Sequence, residues 1–173
     1  EDVFGSYRAE YDFNDAVTAY AAYGFRVSEE AGVYSSQQLS NTETSAASLS
    51  ASTILRKDKN HTGEVGVKTK FNTGALSHNV VLSGSMYRAD KRYSYGYATG
   101  VADNFYNPIY TNASNINQWR GSKGTYPKAN VATLRSVALG DNISALDDRL
   151  TVMLGARYQE VDQDVYSYGT YLY

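Results

Sequence analysis

The chain has 173 residues, with 16 basic and 18 acidic side chains, and its formal net charge of −2 leaves no basic field for nucleic acid. The absence of cysteine excludes disulfides, thiolate metal sites and cysteine nucleophiles, and two histidines are too few for a histidine-rich metal centre. The chain contains only two prolines and as many as 17 tyrosines, a composition that favours long β-strands. No run reaches the roughly 20 apolar residues of a membrane helix, and the first residues do not form a signal peptide.

Alternating apolar and polar residues predict the first two strands. Strand one covers residues 3–13 and ends at a tight turn. Strand two covers residues 17–40, although its apolar face fades in its second half. A polar loop follows at residues 40–45.

Residues 63–88 form the clearest hairpin of the sequence. Strand three is predicted over residues 45–72 and strand four over residues 76–97, with a short turn of asparagine and glycine between them. A break at the polar residues 56–61 is the alternative, and it would reverse the direction of every later strand. The apolar face of the hairpin carries Val65, Val67, Thr69, Phe71, Val80, Leu82, Gly84 and Met86.

The last part of the chain predicts a long loop and two further strands. Residues 100–128 contain both prolines, and a loop of about thirty residues is uncommon in a compact domain unless it has a function. Strand five is predicted over residues 129–142, and its facing is ambiguous because Val137 and Leu134 fall on opposite sides. After a short turn, strand six covers residues 149–164 with clear alternation.

The short connections and the long, polar ones fall at opposite ends of this sheet. Each strand is apolar on one face for about ten residues beside its short turn, enough to cross a bilayer when tilted by roughly 45°. This predicts an all-β fold of about six long antiparallel strands, a partial transmembrane β-barrel with short periplasmic turns and long extracellular loops. The aromatic residues expected at the membrane interfaces are Tyr11, Phe13, Phe71, Tyr87, Tyr93 and Tyr158.

A soluble antiparallel sheet with one wet face is the alternative fold. Strands of 20 or more residues exceed the usual 3–10 of globular proteins, and the sequence offers no second apolar layer to cover the first. The membrane barrel is therefore the preferred interpretation.

Three segments resemble TonB-dependent ferric-siderophore receptors of the ferrichrome-receptor type. They are "RAEYDFNDAVTAYAAYGFR" at 8–26, "GEVGVKTKFNTGALSHNVVLSGSMY" at 63–87 and "DDRLTVMLGARYQEVD" at 147–162. They occur in the family's order, and the resemblance covers most of the chain except the loop at 100–128. Each motif is weak alone, and together they are quite specific.

The resemblance implies that residues 1–173 are an internal piece of a 22-stranded barrel wall, without the plug domain or the C-terminal strand. The parent protein would be an outer-membrane receptor that binds a ferric siderophore and imports it with TonB-derived energy. Contact with the TonB complex would be made by parts of the receptor that are missing here. Other implied partners are outer-membrane lipid and lipopolysaccharide, and no cofactor is expected to bind directly.

The candidate ligand-binding residues are aromatic side chains of upper strand four and its loop, because aromatic faces with adjacent donors suit a large, partly apolar iron chelate. They are Tyr93, Tyr95, Tyr97, Phe105, Tyr106, Tyr110, Trp119 and Tyr126. Mutual packing of these tyrosines is the structural alternative. Arg88, Lys91 and Arg92 would attract an anionic chelate or lipopolysaccharide, or form a solvated strand end.

No catalytic or metal-binding residues are expected, and the protein is predicted not to be an enzyme. His78 begins a strand without a matched serine and is expected to be structural. Two alternative functions remain at this stage. A general porin would have no plug and an open conductance, and a soluble sheet module would stay monomeric without detergent.

Overall fold

In the computed structural model, residues 1–108, 118–120 and 124–173 are described. They form eight strands and no helix, so within these ranges no helix is long and apolar enough to cross a membrane. The strands are β1 (Asp2–Asn14), β2 (Val17–Asn41), β3 (Ala46–Thr73), β4 (Leu76–Asn104), β5 (Gln118–Arg120), β6 (Lys128–Ala145), β7 (Leu150–Ser167) and β8 (Thr170–Tyr171).

The sheet is an antiparallel meander in the order β1-β2-β3-β4-β6-β7-β8, with β5 paired to β4. β3 pairs with β4 from Thr73 opposite Leu76 to Ala46 opposite Asn104. The strand is continuous through residues 56–61, so the single long strand three is confirmed and the alternative break is wrong. Polar residues extend this strand because the neighbouring strands satisfy its backbone groups on both sides.

The end of strand four differs from the prediction. β4 continues to Asn104, and the loop that was expected to begin at residue 100 begins at residue 105. The extra residues pair with the first residues of β3 across a register shift between Leu49 and Ala51. β5 lies within the predicted loop and pairs with Tyr95–Tyr97 of β4.

The register gives every long strand the same two faces. We call the face that carries Val67, Leu82, Leu139 and Leu154 the outer face, and the opposite face the inner face. Val67 lies directly opposite Leu82, Leu82 opposite Leu139, and the next row places Asp141 opposite Leu154. The ambiguity of strand five is thereby resolved, because Val137 and Leu139 lie on the outer face and Leu134 and Ala138 on the inner face.

The outer face exposes a continuous apolar band beside the short turns. Leu82 is 51% exposed although its strand is paired on both sides, and Leu154 is 57% exposed. The exposed members of the band are Val3, Tyr7, Tyr11, Phe13, Phe25, Val65, Val67, Phe71, Leu82, Met86, Val137, Leu139, Leu150, Val152, Leu154 and Tyr158. An apolar surface of this extent fits contact with lipid, since transmembrane β-barrels carry an outward-facing apolar band about 25 Å tall.

Two of the predicted interface aromatics lie on the other face. Tyr87 pairs with Thr62 on the inner face and donates a hydrogen bond to Oδ1 of Asn60 at 2.9 Å. Tyr93 shares that face, since it lies six residues further along the same strand. The prediction that Tyr87 and Tyr93 belong to the outer aromatic girdle is therefore wrong. It considered only their position along the strand and not which of the two faces an odd-numbered residue of β4 occupies.

His78 on β4 contacts both neighbouring strands on the outer face, beside the short turn between β3 and β4. Its Nδ1 lies 2.7 Å from Oδ2 of Asp141 on β6, and its Nε2 lies 2.6 Å from Oγ1 of Thr73 on β3. The imidazole also stacks on Phe71 with ring centroids 4.9 Å apart. Asp141 lies between the apolar residues Val80 and Leu154 on the outer face, where a carboxylate needs a polar partner. His78 supplies that partner to Asp141.

We expect Leu82→Arg to reduce the amount of folded protein in the membrane, because a charge at the middle of a lipid-facing band costs about 2–4 kcal/mol. The measurement is the heat-modifiable folded band of the full-length protein on a cold gel. Met153→Arg is the control, since it places the same side chain on the inner face, where Met153 lies opposite Asn142 and is 77% exposed, and it should leave the folded fraction unchanged. Equal losses in both variants would contradict the assignment of the faces.

Candidate ligand-binding groove

A groove of about 680 Å³ lies on the inner face, at the end of the sheet remote from the short turns. Alternate residues of neighbouring strands form its floor because the register places Arg56 opposite Tyr93 and Ile54 opposite Tyr95. The groove is lined by Ile54, Arg56, Asp58, Lys91, Tyr93, Tyr95, Ala129, Asn130, Gln163, Val165, Tyr166, Tyr168 and Tyr173.

The charged part of the groove is an ion pair beside a lysine. Nη2 of Arg56 lies 2.5 Å from Oδ2 of Asp58, whose side chain is only 14% exposed. The hydrogen bond to Asp58 raises the pKa of Arg56, so this guanidinium stays charged. Oδ1 of Asp58 is buried and has no hydrogen-bond partner among the described residues. Lys91, opposite Asp58 in the register, adds an exposed cation to the wall.

The aromatic part of the groove consists of tyrosines in two contacts. The rings of Tyr95 and Tyr97 stack with centroids 5.8 Å apart, and Tyr93 meets Tyr168 edge-on at 6.0 Å. Tyrosine presents a flat apolar face together with a hydroxyl donor. The arrangement suits a bulky solute that carries both apolar surface and hydrogen-bond acceptors.

The structure brings together only some of the predicted ligand-binding residues. Tyr93 and Tyr95 line the groove, and Tyr97 stacks against Tyr95. Phe105 and Tyr106 follow β4 at the loop end, where their rings meet at 5.6 Å and both are exposed.

For the other three predicted residues the structure gives different information. The backbone of Trp119 pairs with Gly96 in β5, and Tyr110 lies outside the described residues. Tyr126 hydrogen-bonds Glu29 on the outer face, and the structure does not bring it to the groove.

Sequence reasoning missed most of the polar lining of the groove. Arg56 and Asp58 belong to the polar stretch 56–61, which was considered only as a possible break in strand three. The signal was present, because residues counted back from the short turn place Arg56 opposite Tyr93. Tyr168 and Tyr173 had no such signal, since they reach the groove through the turn between β7 and β8.

A second polar cluster on the inner face is closed on itself. Tyr20, 7% exposed, donates a hydrogen bond to Oε1 of Glu64 at 2.5 Å, and the guanidinium of Arg8 lies 4.3 Å from its ring centroid. Lys68 lies 3.2 Å from Glu10, which also pairs with Arg8. The charged side chains of this cluster contact one another or Tyr20, which points to a structural role for the cluster. Among the described residues, no group of histidine, aspartate and glutamate is placed to hold a metal ion.

The fold and sequence agree with known receptors. Over 164 residues, 93% of the chain, the sequence is 32% identical to the ferrichrome receptor FcuA of Yersinia enterocolitica. The resemblance to siderophore receptors predicted from the sequence is thus confirmed. The chain spans 21% of the length of FcuA, and its predicted location in the outer membrane is confirmed. No protein-family model matches the chain.

Two solved siderophore receptors of Acinetobacter baumannii share the fold. The ferric preacinetobactin receptor BauA superposes with a TM-score of 0.70 at 26% identity, over 94% of this chain and 24% of BauA. The siderophore receptor PiuA superposes with a TM-score of 0.67 at 16% identity, over 99% of this chain and 27% of PiuA, which supports the fold alone. The predicted partial barrel is thus confirmed.

We expect Arg56→Ala to lower the free energy of unfolding of the full-length receptor by about 1–3 kcal/mol, because it removes the partner of a largely buried carboxylate. The measurement is the denaturant midpoint of the receptor in lipid vesicles. The double variant Arg56→Ala/Asp58→Ala should recover most of the loss. Failure of the double variant to recover would show that the ion pair is not what Arg56 contributes.

Proposed function

We propose that this chain forms part of the wall and external loops of a receptor that binds a ferric siderophore and imports it with TonB-derived energy. The observation that carries the proposal is the tyrosine-lined groove on the inner face, at the end of the sheet beyond the lipid-facing band. A siderophore arriving from outside would meet this wall first. The similarity to a ferrichrome receptor over 93% of the chain supports the same function.

The chemistry of the groove fits an iron chelate as the transported ligand. Its volume of about 680 Å³ falls within the range of small-molecule sites, roughly 300–1,000 Å³. Tyr93 and Tyr95 supply aromatic faces, while Arg56 and Lys91 supply donors for the oxygen-rich surface of a chelate. In this proposal the iron belongs to the ligand, the chain binds no cofactor of its own, and no reaction is catalysed.

The proposal assigns energy coupling to other parts of the receptor, where contact with the TonB complex would be made. The similarities to siderophore receptors favour ligand-dependent import over the open diffusion of a porin. The exposed apolar band likewise favours a membrane protein over a soluble sheet module.

We also propose that the outer face contacts outer-membrane lipid, including lipopolysaccharide. Arg88 lies on this face just above the band, opposite His61 and Thr133, whereas Lys91 lies on the inner face. Below Arg88 a groove of about 530 Å³ is lined largely by Gly63, Val65, Gly84, Met86, Arg135, Val137, Tyr158 and Glu160. The apolar walls of this groove suit an acyl chain of a lipid. Arg135 lines the groove and Arg88 lies two residues beyond Met86, so both could bind the phosphate group of the same lipid.

We expect Tyr95→Ala to weaken binding of ferrichrome to the full-length receptor by roughly tenfold, because one aromatic face is lost and Tyr97 loses the ring on which it stacks. The measurement is quenching of intrinsic fluorescence in titrations with ferrichrome. Tyr158→Ala is the matched control, since it removes a tyrosine from the outer face of the same sheet and should leave the affinity unchanged. Unchanged affinity in Tyr95→Ala would contradict the assignment of the groove.

We expect Arg88→Glu to reduce the lipopolysaccharide that co-purifies with the receptor, because the substitution places a carboxylate where a phosphate would bind. The measurement is bound lipopolysaccharide per receptor by mass spectrometry. Lys91→Glu makes the same charge change on the inner face and should not alter this ratio. An equal loss in both variants would indicate a nonspecific effect of net charge and contradict the lipid contact.

A further inference from the structure

Residues 124–127 lie against the outer face of β4, at the level of the ligand-binding groove on the other side. Ser94 is fully buried, and its Oγ donates a hydrogen bond to the carbonyl oxygen of Thr125 at 2.8 Å. The amide of Tyr93 donates to the carbonyl oxygen of Pro127 at 3.1 Å. The returning limb of the long loop is thus fixed to the wall before β6 begins.

Tyr126 ties this limb to a strand two places away in the sheet. Its hydroxyl donates to Oε1 of Glu29 on β2 at 2.7 Å, across 97 positions of sequence. Nζ of Lys57 on β3 donates to the other oxygen, Oε2, at 2.9 Å and lies 5.9 Å from the centroid of the Tyr126 ring. Both carboxylate oxygens of Glu29 are therefore used. We call Glu29, Lys57 and Tyr126 the outer latch.

Titration does not open the outer latch near neutral pH. The hydrogen bonds from Tyr126 and Lys57 lower the pKa of Glu29, which keeps the carboxylate ionised. The hydrogen bond to Glu29 raises the pKa of Tyr126, which keeps the hydroxyl protonated and able to donate.

The limb held by the outer latch leads into backbone hydrogen bonds with Tyr93 and with Gly169, the residue that follows Tyr168. Pro127 accepts the hydrogen bond from Tyr93, whose ring lies on the inner face. The next residue, Lys128, accepts a hydrogen bond from the amide of Gly169 at 2.9 Å, beside Tyr168. Tyr93 and Tyr168 meet edge-on at 6.0 Å. Their relative position therefore depends on the backbone at residues 127–128.

We propose that the outer latch positions Tyr93 and Tyr168 for ligand binding, and that Tyr126 is a positioning residue rather than a ligand contact. The affinity part of this inference rests on the proposed function. The positional part does not, because it concerns the backbone of the receptor without ligand.

The test uses Tyr126→Phe in the full-length receptor, which removes one hydroxyl and keeps the ring. Hydrogen exchange of the ligand-free receptor should accelerate in peptides that contain the amides of Tyr93 and Gly169, and stay unchanged in the apolar band. Ferrichrome affinity should fall roughly two- to tenfold, the effect of one hydrogen bond. Glu29→Gln keeps an oxygen that accepts from Tyr126 and should lose less protection than Glu29→Ala.

Tyr34→Phe is the matched control, because the Tyr34 hydroxyl also donates to a carboxylate, that of Glu30 on the same strand. It should leave the exchange of both peptides and the affinity unchanged. Unchanged exchange in Tyr126→Phe would overturn the proposal, and weaker binding with unchanged exchange would mark Tyr126 as a direct contact. Faster exchange with unchanged ferrichrome affinity would overturn the positioning role. If the unaltered receptor does not bind ferrichrome, the proposed ligand fails while the exchange result still decides the positional part.

Discussion

The face of the sheet on which each side chain lies depends on the cross-strand register that the short turns impose. The turn between Thr73 and Leu76 aligns two strands of more than twenty residues, and a slip of one residue would move every side chain to the opposite face. The same register continues through β6 and β7, so that Val67, Leu82, Leu139 and Leu154 share one surface. The proposed lipid contact and the proposed ligand contact would thereby lie on two sides of a single layer.

A single layer also couples its two sides over a short distance. Consecutive residues of β4 point in opposite directions, so Ser94 is buried under the returning loop while Tyr93 and Tyr95 line the groove. A contact made outside the wall is therefore one residue away from a contact made inside it. This geometry lets the outer latch act on the groove without a conformational change of the sheet.

Period-two alternation predicted most of the fold because one face of each long strand is apolar beside its short turn while the other face is more polar. It failed where the neighbouring strand, not local pattern, decides the outcome. Residues 98–104 extend β4 because the first residues of β3 lie alongside them, which no local sequence pattern encodes. Tyr93 and Tyr95 were predicted as ligand-binding residues without knowledge of their face. The position of Tyr126 depends on Glu29, 97 residues away, and could not be found from spacing.

The most direct test of this account is a nitroxide scan of residues 80–87 in the full-length receptor reconstituted in lipid vesicles. Collision rates with oxygen and with a water-soluble nickel chelate would be measured at each position. The account predicts that even-numbered positions favour oxygen and odd-numbered positions favour the nickel chelate, because even-numbered residues of this stretch lie on the outer face. Equal accessibility of all positions to the nickel chelate, or the reverse alternation, would contradict it.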